Sequence, residues 1–181
     1  MRPKMTAGMV GMGMIFDDTY RPFFEAVARQ GLYDRRFGDL DVQLVAVATK
    51  TGSRAERYLR QSAGLIPPFT NCSGDAAVQQ MLQHRPTFAC VATPDNRHFE
   101  AARAILEAGV HLLVEKPSVL SLSELDELTA IAERRGVLAR VVYHKLLDPD
   151  HKKLRTLVAD HVLQHVNNGY CSLLEPRQIS G

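Results

Sequence analysis

Along this chain, short and nearly continuous apolar runs alternate with longer segments whose apolar residues recur at helical spacing. The apolar runs are expected to be strands, at residues 4–10, 42–48, 87–92, 110–114 and 137–142. The first run is weak as a strand, since Gly8 interrupts it. Buried runs separated by amphipathic helices are typical of a parallel sheet covered on both faces. The pattern therefore predicts an α/β fold with a doubly wound, mostly parallel sheet.

Capping signals locate the helices between these runs. The first helix is expected to have Pro22 in its first turn and Gly31 just past its end, with Phe23, Phe24 and Val27 on one face. The other signals are capping boxes at 53–56 and 121–124, an Asn96 cap, and Asp148 before Pro149. Residues 162–171 partly alternate apolar and polar positions, which predicts a half-exposed strand.

Composition narrows the class of protein. Of 181 residues, 45% are hydrophobic and 23% charged, with a formal net charge of +2. A balance of this kind argues against a nucleic-acid or membrane surface as partner. No segment near the N-terminus resembles a signal peptide, no apolar run reaches about 18 residues, and the three cysteines are widely spaced, so we expect a reducing cytoplasm.

The first candidate for chemistry is the turn Gly11-Met12-Gly13, directly after the first strand. In a dinucleotide-binding fingerprint, such glycines let the backbone approach a pyrophosphate, and the next amides, here Met14 and Ile15, face it. Phe16 occupies the third position, which should be small, and we expect its ring to turn into the core. Because Arg21 precedes a proline, an extended or kinked connection is expected up to that residue. The alternative is an ordinary strand-to-helix turn.

The second candidate is the polar segment after the second long apolar run. An NAD site usually has a carboxylate here, which binds the ribose hydroxyls. This chain instead has hydroxyls and cations, namely Thr49, Lys50, Ser53 and Arg54. These groups suit a 2′-phosphate, so the segment predicts that NADP is preferred over NAD. A solvated polar loop is the alternative interpretation.

The third candidate is Glu115-Lys116-Pro117, at the end of a buried run. Ligands of open α/β sheets bind at the carboxyl ends of strands, so a lysine beside a carboxylate can serve there in catalysis. The alternative is a surface lysine where a strand enters a loop.

With the segments ATPDNRH (92–98), LEAGVHLLVEKP (106–117) and YHKLLDP (143–149), the chain resembles the glucose–fructose oxidoreductase/inositol dehydrogenase family, Gfo/Idh/MocA, over about residues 5–160. The resemblance implies an NAD(P)-dependent oxidoreductase with a Rossmann domain, here 1–145. It also implies a second α/β domain, of which 146–181 would be the linking helix and first strand. We therefore expect a truncated chain, and a homo-oligomer for its full-length parent.

The resemblance also implies roles for single residues. It places Thr93, Pro94, Asn96 and His98 on the nicotinamide side of the cofactor. It implies that Glu115 and Lys116 face the cofactor and the substrate, with Lys116 as the catalytic residue that bonds the reacting hydroxyl or carbonyl. The proline that follows, Pro117, is often cis in such proteins. Leu146 and Leu147 replace an arginine and an aromatic residue of many relatives, so His144 or Lys145 is expected to contact the substrate.

The expected activity is hydride transfer between nicotinamide and a sugar, polyol or related hydroxyl or carbonyl compound. The alternative is a binding module that senses a dinucleotide or a sugar without turnover. No P-loop, G-x-S-x-G or H-E-x-x-H motif is present, and no metal is expected. A methyltransferase could use the glycine turn, but it would leave Glu115-Lys116-Pro117 unexplained.

Overall fold

The computed structural model of this protein describes residues 3–170 and residue 172. In them, strands and helices alternate in the order that the apolar pattern predicts. The strands are β1 Lys4–Val10, β2 Leu32–Asp34, β3 Gly38–Thr49, β4 Thr70–Ser73, β5 Phe88–Val91, β6 His111–Glu115 and β7 Ala139–Val142. The α-helices are α1 Arg21–Gln30, α2 Ser53–Gln61, α3 Ala77–Gln83, α4 His98–Glu107, α5 Leu122–Arg135 and α6 Pro149–Ala159.

The sheet has the topology of a dinucleotide-binding domain. Its parallel strands lie in the order β4-β3-β1-β5-β6-β7. Counted along the chain without β2, this is the order 3-2-1-4-5-6 of the Rossmann fold. The predicted fold class is confirmed. The order reverses between β1 and β5, and in open α/β sheets ligands bind at such a point, beyond the carboxyl ends of the strands.

Two apolar clusters cover the two faces of the sheet. In β5, Ala89 and Val91 pack in the cluster that includes α3, α4 and α5, whereas Cys90 between them packs with α1 and α2. Successive side chains of a strand point to opposite faces, which explains this alternation. The same packing explains Gly8 in β1, because a Cβ there would lie 2.8 Å from the sulfur of Met81.

The connection after the glycine turn differs from the prediction. Helical conformation begins at Met14, is π-helical over Phe16–Tyr20, and continues into α1. Arg21 is itself helical, with φ −58° and ψ −52°, and its N–H donates to the Phe16 carbonyl. In a regular α-helix the ring of Pro22 would clash with the carbonyl four residues earlier. The wider π turn avoids this clash.

The helix caps were predicted with mixed success. Pro22 lies in the first turn of α1 and Gly31 just past its end, as predicted, but Phe23 is exposed while Phe24 and Val27 are buried. Ser121 caps α5 as predicted, since the Glu124 N–H donates to Ser121 Oγ, but the Glu124 carboxylate accepts from the Leu120 N–H, so the box is not reciprocal.

Two of the predicted caps, Ser53 and Asn96, are wrong. Gly52 precedes α2 with φ +75°, and the Ser53 hydroxyl lies 2.9 Å from that of Thr51 instead of capping the helix. Asn96 lies in a 3₁₀ turn, Asp95–Arg97, so it does not cap α4. In both places another residue occupies the N-cap, Gly52 for α2 and Arg97 for α4.

The described residues form two compact units, one that ends at Val142 and one that begins at Tyr143. In the second unit, Asp148 caps α6 as predicted by accepting from two backbone N–H groups. Residues 162–170 have no regular structure, so the predicted strand is wrong there, and Cys171 lies outside the described residues. A strand needs a partner for its backbone groups, and no described strand pairs with this stretch. The domain division at residues 145 and 146 stays a prediction.

Candidate cofactor and active site

A cleft of about 940 Å³ opens at the carboxyl ends of β1, β3 and β5, where the strand order reverses. Ten of the predicted site residues line it: Gly11, Gly13, Met14, Ile15, Thr49, Lys50, Arg54, Thr93, Pro94 and Asn96. These residues are far apart in the sequence. The topology therefore brings the glycine turn and two other predicted segments to one cavity.

The glycine turn forms the floor of this cleft. Gly11 has φ +93°, and a Cβ there would collide with the Ala92 carbonyl oxygen at the end of β5. Gly13 is different, because a Cβ on it would have nothing within 4 Å. The first bond of the following helix runs from the Asp17 N–H to the Gly13 carbonyl, at 3.3 Å. The preceding backbone N–H groups at this helix start therefore remain as donors for a ligand.

Phe16, at the third fingerprint position, is buried as predicted. Its side chain is 1% exposed, and its ring packs edge to face on Tyr58 with centroids 5.3 Å apart. The large residue is tolerated because it points into the core cluster below the turn and leaves the cleft open.

The segment Thr49–Arg54, which we call the polar rim, borders the same cleft. Arg54 Nη1 donates to the Met12 carbonyl at 2.9 Å, which connects the rim to the glycine turn. Thr49 Oγ1 accepts from the Gly52 N–H at 3.0 Å, and Lys50 is exposed. Thr51, which the sequence reasoning did not single out, lines the cleft, whereas Ser53 does not. The rim is thus polar, accessible and free of carboxylates.

Thr93 follows β5 on the opposite side of the cleft. Its Oγ1 is buried and has no hydrogen-bond partner among the residues that the structure describes. A buried hydroxyl of this kind is costly unless it is paired, so it suits a polar group of a bound molecule.

His98, the first residue of α4, does not line the cleft. Its side chain is 1% exposed, with Nε2 2.8 Å from the Thr93 carbonyl and Nδ1 2.8 Å from the Pro117 carbonyl. Donation to both oxygens at once requires a proton on each ring nitrogen. The imidazole therefore joins the loop after β5 to the loop after β6, inside the protein.

The segment Glu115–Pro117, which we call the lysine turn, ends β6, one strand beyond the cleft. The peptide bond between Lys116 and Pro117 is cis. The Lys116 side chain is exposed, and its ammonium group forms no bond or ion pair with the described residues. Glu115 is buried, and its Oε1 accepts from the Tyr20 hydroxyl at 2.8 Å.

The remaining predicted residues, His144 and Lys145, lie in a 3₁₀ turn of the second unit and are exposed. Their role toward a substrate stays a prediction. Within residues 3–170 and 172, His, Cys, Asp and Glu side chains form no group of three that could hold a metal ion. No helix among them is long and apolar enough to cross a membrane.

Besides Thr51, sequence reasoning missed Tyr20, which contacts the lysine turn through Glu115. Its position was readable in part, because Phe16, Tyr20 and Phe24 recur every four residues and all three are buried. This spacing indicates one helical face, but the expectation of an extended connection concealed it. Its contact with Glu115, 95 residues away, has no local signal.

Fold and cleft together define a dinucleotide-binding α/β domain, and the comparisons identify its family. The chain belongs to the GFO_IDH_MocA family, "Oxidoreductase family, NAD-binding Rossmann fold", whose model matches residues 5–143. The resemblance drawn from the sequence motifs is confirmed.

Curated relatives include an uncharacterized oxidoreductase, YdgJ of Escherichia coli, 40% identical over 42% of this chain and 22% of its own length. A D-glucoside 3-dehydrogenase of the same organism is 28% identical, over 70% and 34%. The scyllo-inositol 2-dehydrogenase (NADP(+)) IolW of Bacillus subtilis is 26% identical, over 64% and 30%. The matched region thus spans about a third or less of these relatives.

Solved structures share the fold. A 3-ketoreductase from Actinomadura kijaniata, in complex with TDP-benzene and NADP, has a TM-score of 0.69 at 22% identity, over 90% of this chain and 45% of that one. An apo scyllo-inositol dehydrogenase from Lactobacillus casei also has a TM-score of 0.69, at 14% identity, over 90% and 43%.

Proposed function

We propose that this chain is the cofactor-binding part of an NADP-preferring oxidoreductase that transfers a hydride between nicotinamide and a carbon of a sugar, polyol or related compound. The observation that supports it most is the arrangement of three segments on adjacent strand ends. The glycine turn follows β1, the Thr93 loop follows β5, and the lysine turn follows β6. One extended dinucleotide could contact all three.

The residues of the cleft fit a dinucleotide. Gly13 leaves open space where a side chain would stand, and the N–H groups at the helix start could donate to a pyrophosphate. The unpaired hydroxyl of Thr93 offers a further hydrogen bond. The bound cofactor would supply the hydride donor or acceptor. The protein would hold it across the strand ends.

The polar rim supports the preference for NADP. Lys50 and Arg54 offer cations to a 2′-phosphate, and Thr49 and Thr51 offer hydroxyl groups. Charge-assisted hydrogen bonds to phosphate are stronger than neutral ones. The carboxylates of Asp75 and Glu100 also border the cleft, but they follow β4 and lie on α4, away from the end of β3.

Lys116 would be the catalytic residue. Its exposed ammonium group could donate a hydrogen bond to a substrate oxygen and so move a proton or polarise a carbonyl. Because the neighbouring Glu115 is buried in the protein, we propose that its role is to hold the lysine turn in place. A contact of His144 or Lys145 with the substrate is part of the same proposal.

The class of substrate follows from the relatives. Two of these relatives are named as dehydrogenases of an inositol and of a glucoside, which are small polyhydroxylated rings. We extend this class to the present protein, together with a homo-oligomeric state and a place in the cytoplasm, where the buried thiols of Cys72 and Cys90 would stay reduced.

Titration of NADPH into the 181-residue chain, followed by nicotinamide fluorescence, tests the cofactor site. We expect saturable binding that is tighter than that of NADH. A folded sample that binds neither would contradict the proposal. The longest form of the protein that the gene encodes should then oxidise members of a panel of inositols and glucosides with NADP. Binding without turnover of any member would favour the sensing module.

A further inference from the structure

The buried pair of Tyr20 and Glu115 joins the first helix to the lysine turn. The Tyr20 hydroxyl donates to Glu115 Oε1 at 2.8 Å, and the two side chains are 6% and 8% exposed. This bond is the only hydrogen bond or ion pair of the Glu115 carboxylate with the residues that the structure describes. The orientation of the residue that precedes Lys116 therefore depends on one hydroxyl group.

The π-helical turn places this hydroxyl. Phe16, Tyr20 and Phe24 are four residues apart, and in an α-helix that spacing rotates each side chain by about 40° relative to the last. A π turn holds more residues than an α turn, so it reduces this rotation where it occurs. All three rings then enter one core cluster, and the middle one reaches the end of β6.

Lys116 is held from both sides in this arrangement. On its N-terminal side, Glu115 is bonded to Tyr20, and on its C-terminal side the Pro117 carbonyl lies 2.8 Å from His98. The lysine side chain itself is exposed and has no partner among the described residues. Its reach toward a substrate is therefore set by a backbone that two interior side chains hold.

We propose that Tyr20 is a positioning residue for Lys116, acting through Glu115, in the reaction proposed above, on which this inference rests. Positioning of this kind matters because displacement of a catalytic group by about 1 Å can cost about 10²-fold in rate.

Tyr20 has the properties of a permanent donor. Burial raises the pKa of its hydroxyl above the usual value, and the neighbouring Cys90 and Glu115 act in the same direction. The hydroxyl therefore keeps its proton throughout the pH range of an assay. This agrees with a structural bond to Glu115 and not with proton transfer to a substrate.

The test compares Tyr20→Phe with Tyr58→Phe. Each change removes one hydroxyl from the same core cluster, and each hydroxyl contacts a carboxylate, Glu115 at 2.8 Å or Glu25 at 3.5 Å. Hydrogen exchange of the 181-residue chain is measured first, without cofactor or substrate. We expect faster exchange in the peptide of residues 111–119 for Tyr20→Phe and no change there for Tyr58→Phe.

A third variant, Glu115→Gln, and its combination with Tyr20→Phe show whether the effect passes through Glu115. If it does, Tyr20→Phe adds little to the exchange of this peptide in the Glu115→Gln background. Equal additional increases in both backgrounds, an unchanged peptide, or a uniform increase over the whole domain would overturn the proposal.

Kinetics of the longest form of the protein complete the test. We expect Tyr20→Phe to lower kcat roughly tenfold, with the KM for NADP nearly unchanged and the pH profile keeping its shape. An unchanged kcat would show that Tyr20 has only a structural role. Loss of one limb of the pH profile would show that Tyr20 transfers a proton. Either result refutes positioning. If the wild-type protein turns over no substrate, the proposed function fails, while the exchange data still decide whether Tyr20 anchors the turn.

Discussion

The lysine turn and the polar rim are both predicted to contact the ligand, but they are built in opposite ways. The lysine turn presents one exposed side chain, Lys116, on a backbone held by the buried side chains of Tyr20 and His98. The rim presents several polar side chains, and one of them, Arg54, is tied to the glycine turn.

This difference separates two ways of contributing to function. At the lysine turn, interior contacts set geometry, so substitutions around it should change the rate or the stability. At the rim, exposed charge sets affinity, so substitutions should change binding and leave the fold intact. The predictions below test this division, from the largest expected effect to the smallest.

Lys116→Met keeps the length of the side chain and removes its charge. We expect kcat to fall by roughly 10²- to 10⁴-fold, because proton handling by a positioned group is typically worth this much. The affinity for NADP should stay nearly the same, as measured by fluorescence titration. Wild-type turnover of this variant would remove Lys116 from the mechanism.

Gly11→Ala and Gly13→Ala compare two glycines of one turn. The first forces a Cβ onto the Ala92 carbonyl at positive φ, and we expect it to lower the free energy of unfolding by about 3 kcal/mol or more. The second places a methyl group in open space, so stability should hold while NADPH binding weakens. Urea denaturation and titration of both variants measure this. Equal stability of the two variants would contradict the geometry of the turn.

Lys50→Ala tests the rim by removing one exposed cation. NADP binding should weaken by roughly 1–3 kcal/mol, the value of a charge-assisted hydrogen bond, whereas NAD binding should hardly change. Calorimetric titration with both cofactors measures the difference, with Lys50→Arg as the control that keeps the charge. Equal losses for NAD and NADP would show that Lys50 shapes the loop and does not bind the phosphate.

His98→Phe removes both contacts that join the Thr93 loop to the lysine turn. We expect the free energy of unfolding to fall by about 1–2 kcal/mol, since the carbonyls of Thr93 and Pro117 lose their contacts with the ring nitrogens. His84→Phe, at an exposed position, is the matched control in the same urea denaturation series. A loss of the same size in both variants would show that the His98 ring does not stabilise the protein by joining the two loops.

Much of the fold could be predicted from local pattern. The buried strands β3, β5 and β6 appear as apolar runs, and Ser121 and Asp148 mark helix starts by side-chain caps that the structure contains. The hairpin of β2 and β3 was missed, because Leu32–Asp34 is short and largely exposed, without the pattern of a strand.

The site was predictable where it depends on residue type at a strand end. Gly11, Lys50 and Thr93 line the cleft because the carboxyl ends of parallel strands meet at one edge of the sheet. The sequence could not show the surroundings of His98. The family resemblance implies that this residue contacts the cofactor, but the structure encloses its side chain between two loops. A histidine side chain can serve in either place, and only its neighbours decide.

By itself, the sequence determined the alternation of strands and helices, the glycine turn and the position of Lys116 at a strand end. These features follow from the spacing of apolar residues and from the backbone conformations that glycine can adopt, and both are local properties of the sequence. The tertiary structure alone decided that the first helix begins with a π turn and that Tyr20 bonds to Glu115. A contact between residues 95 positions apart depends on how helix and sheet pack, and no local preference encodes that distance.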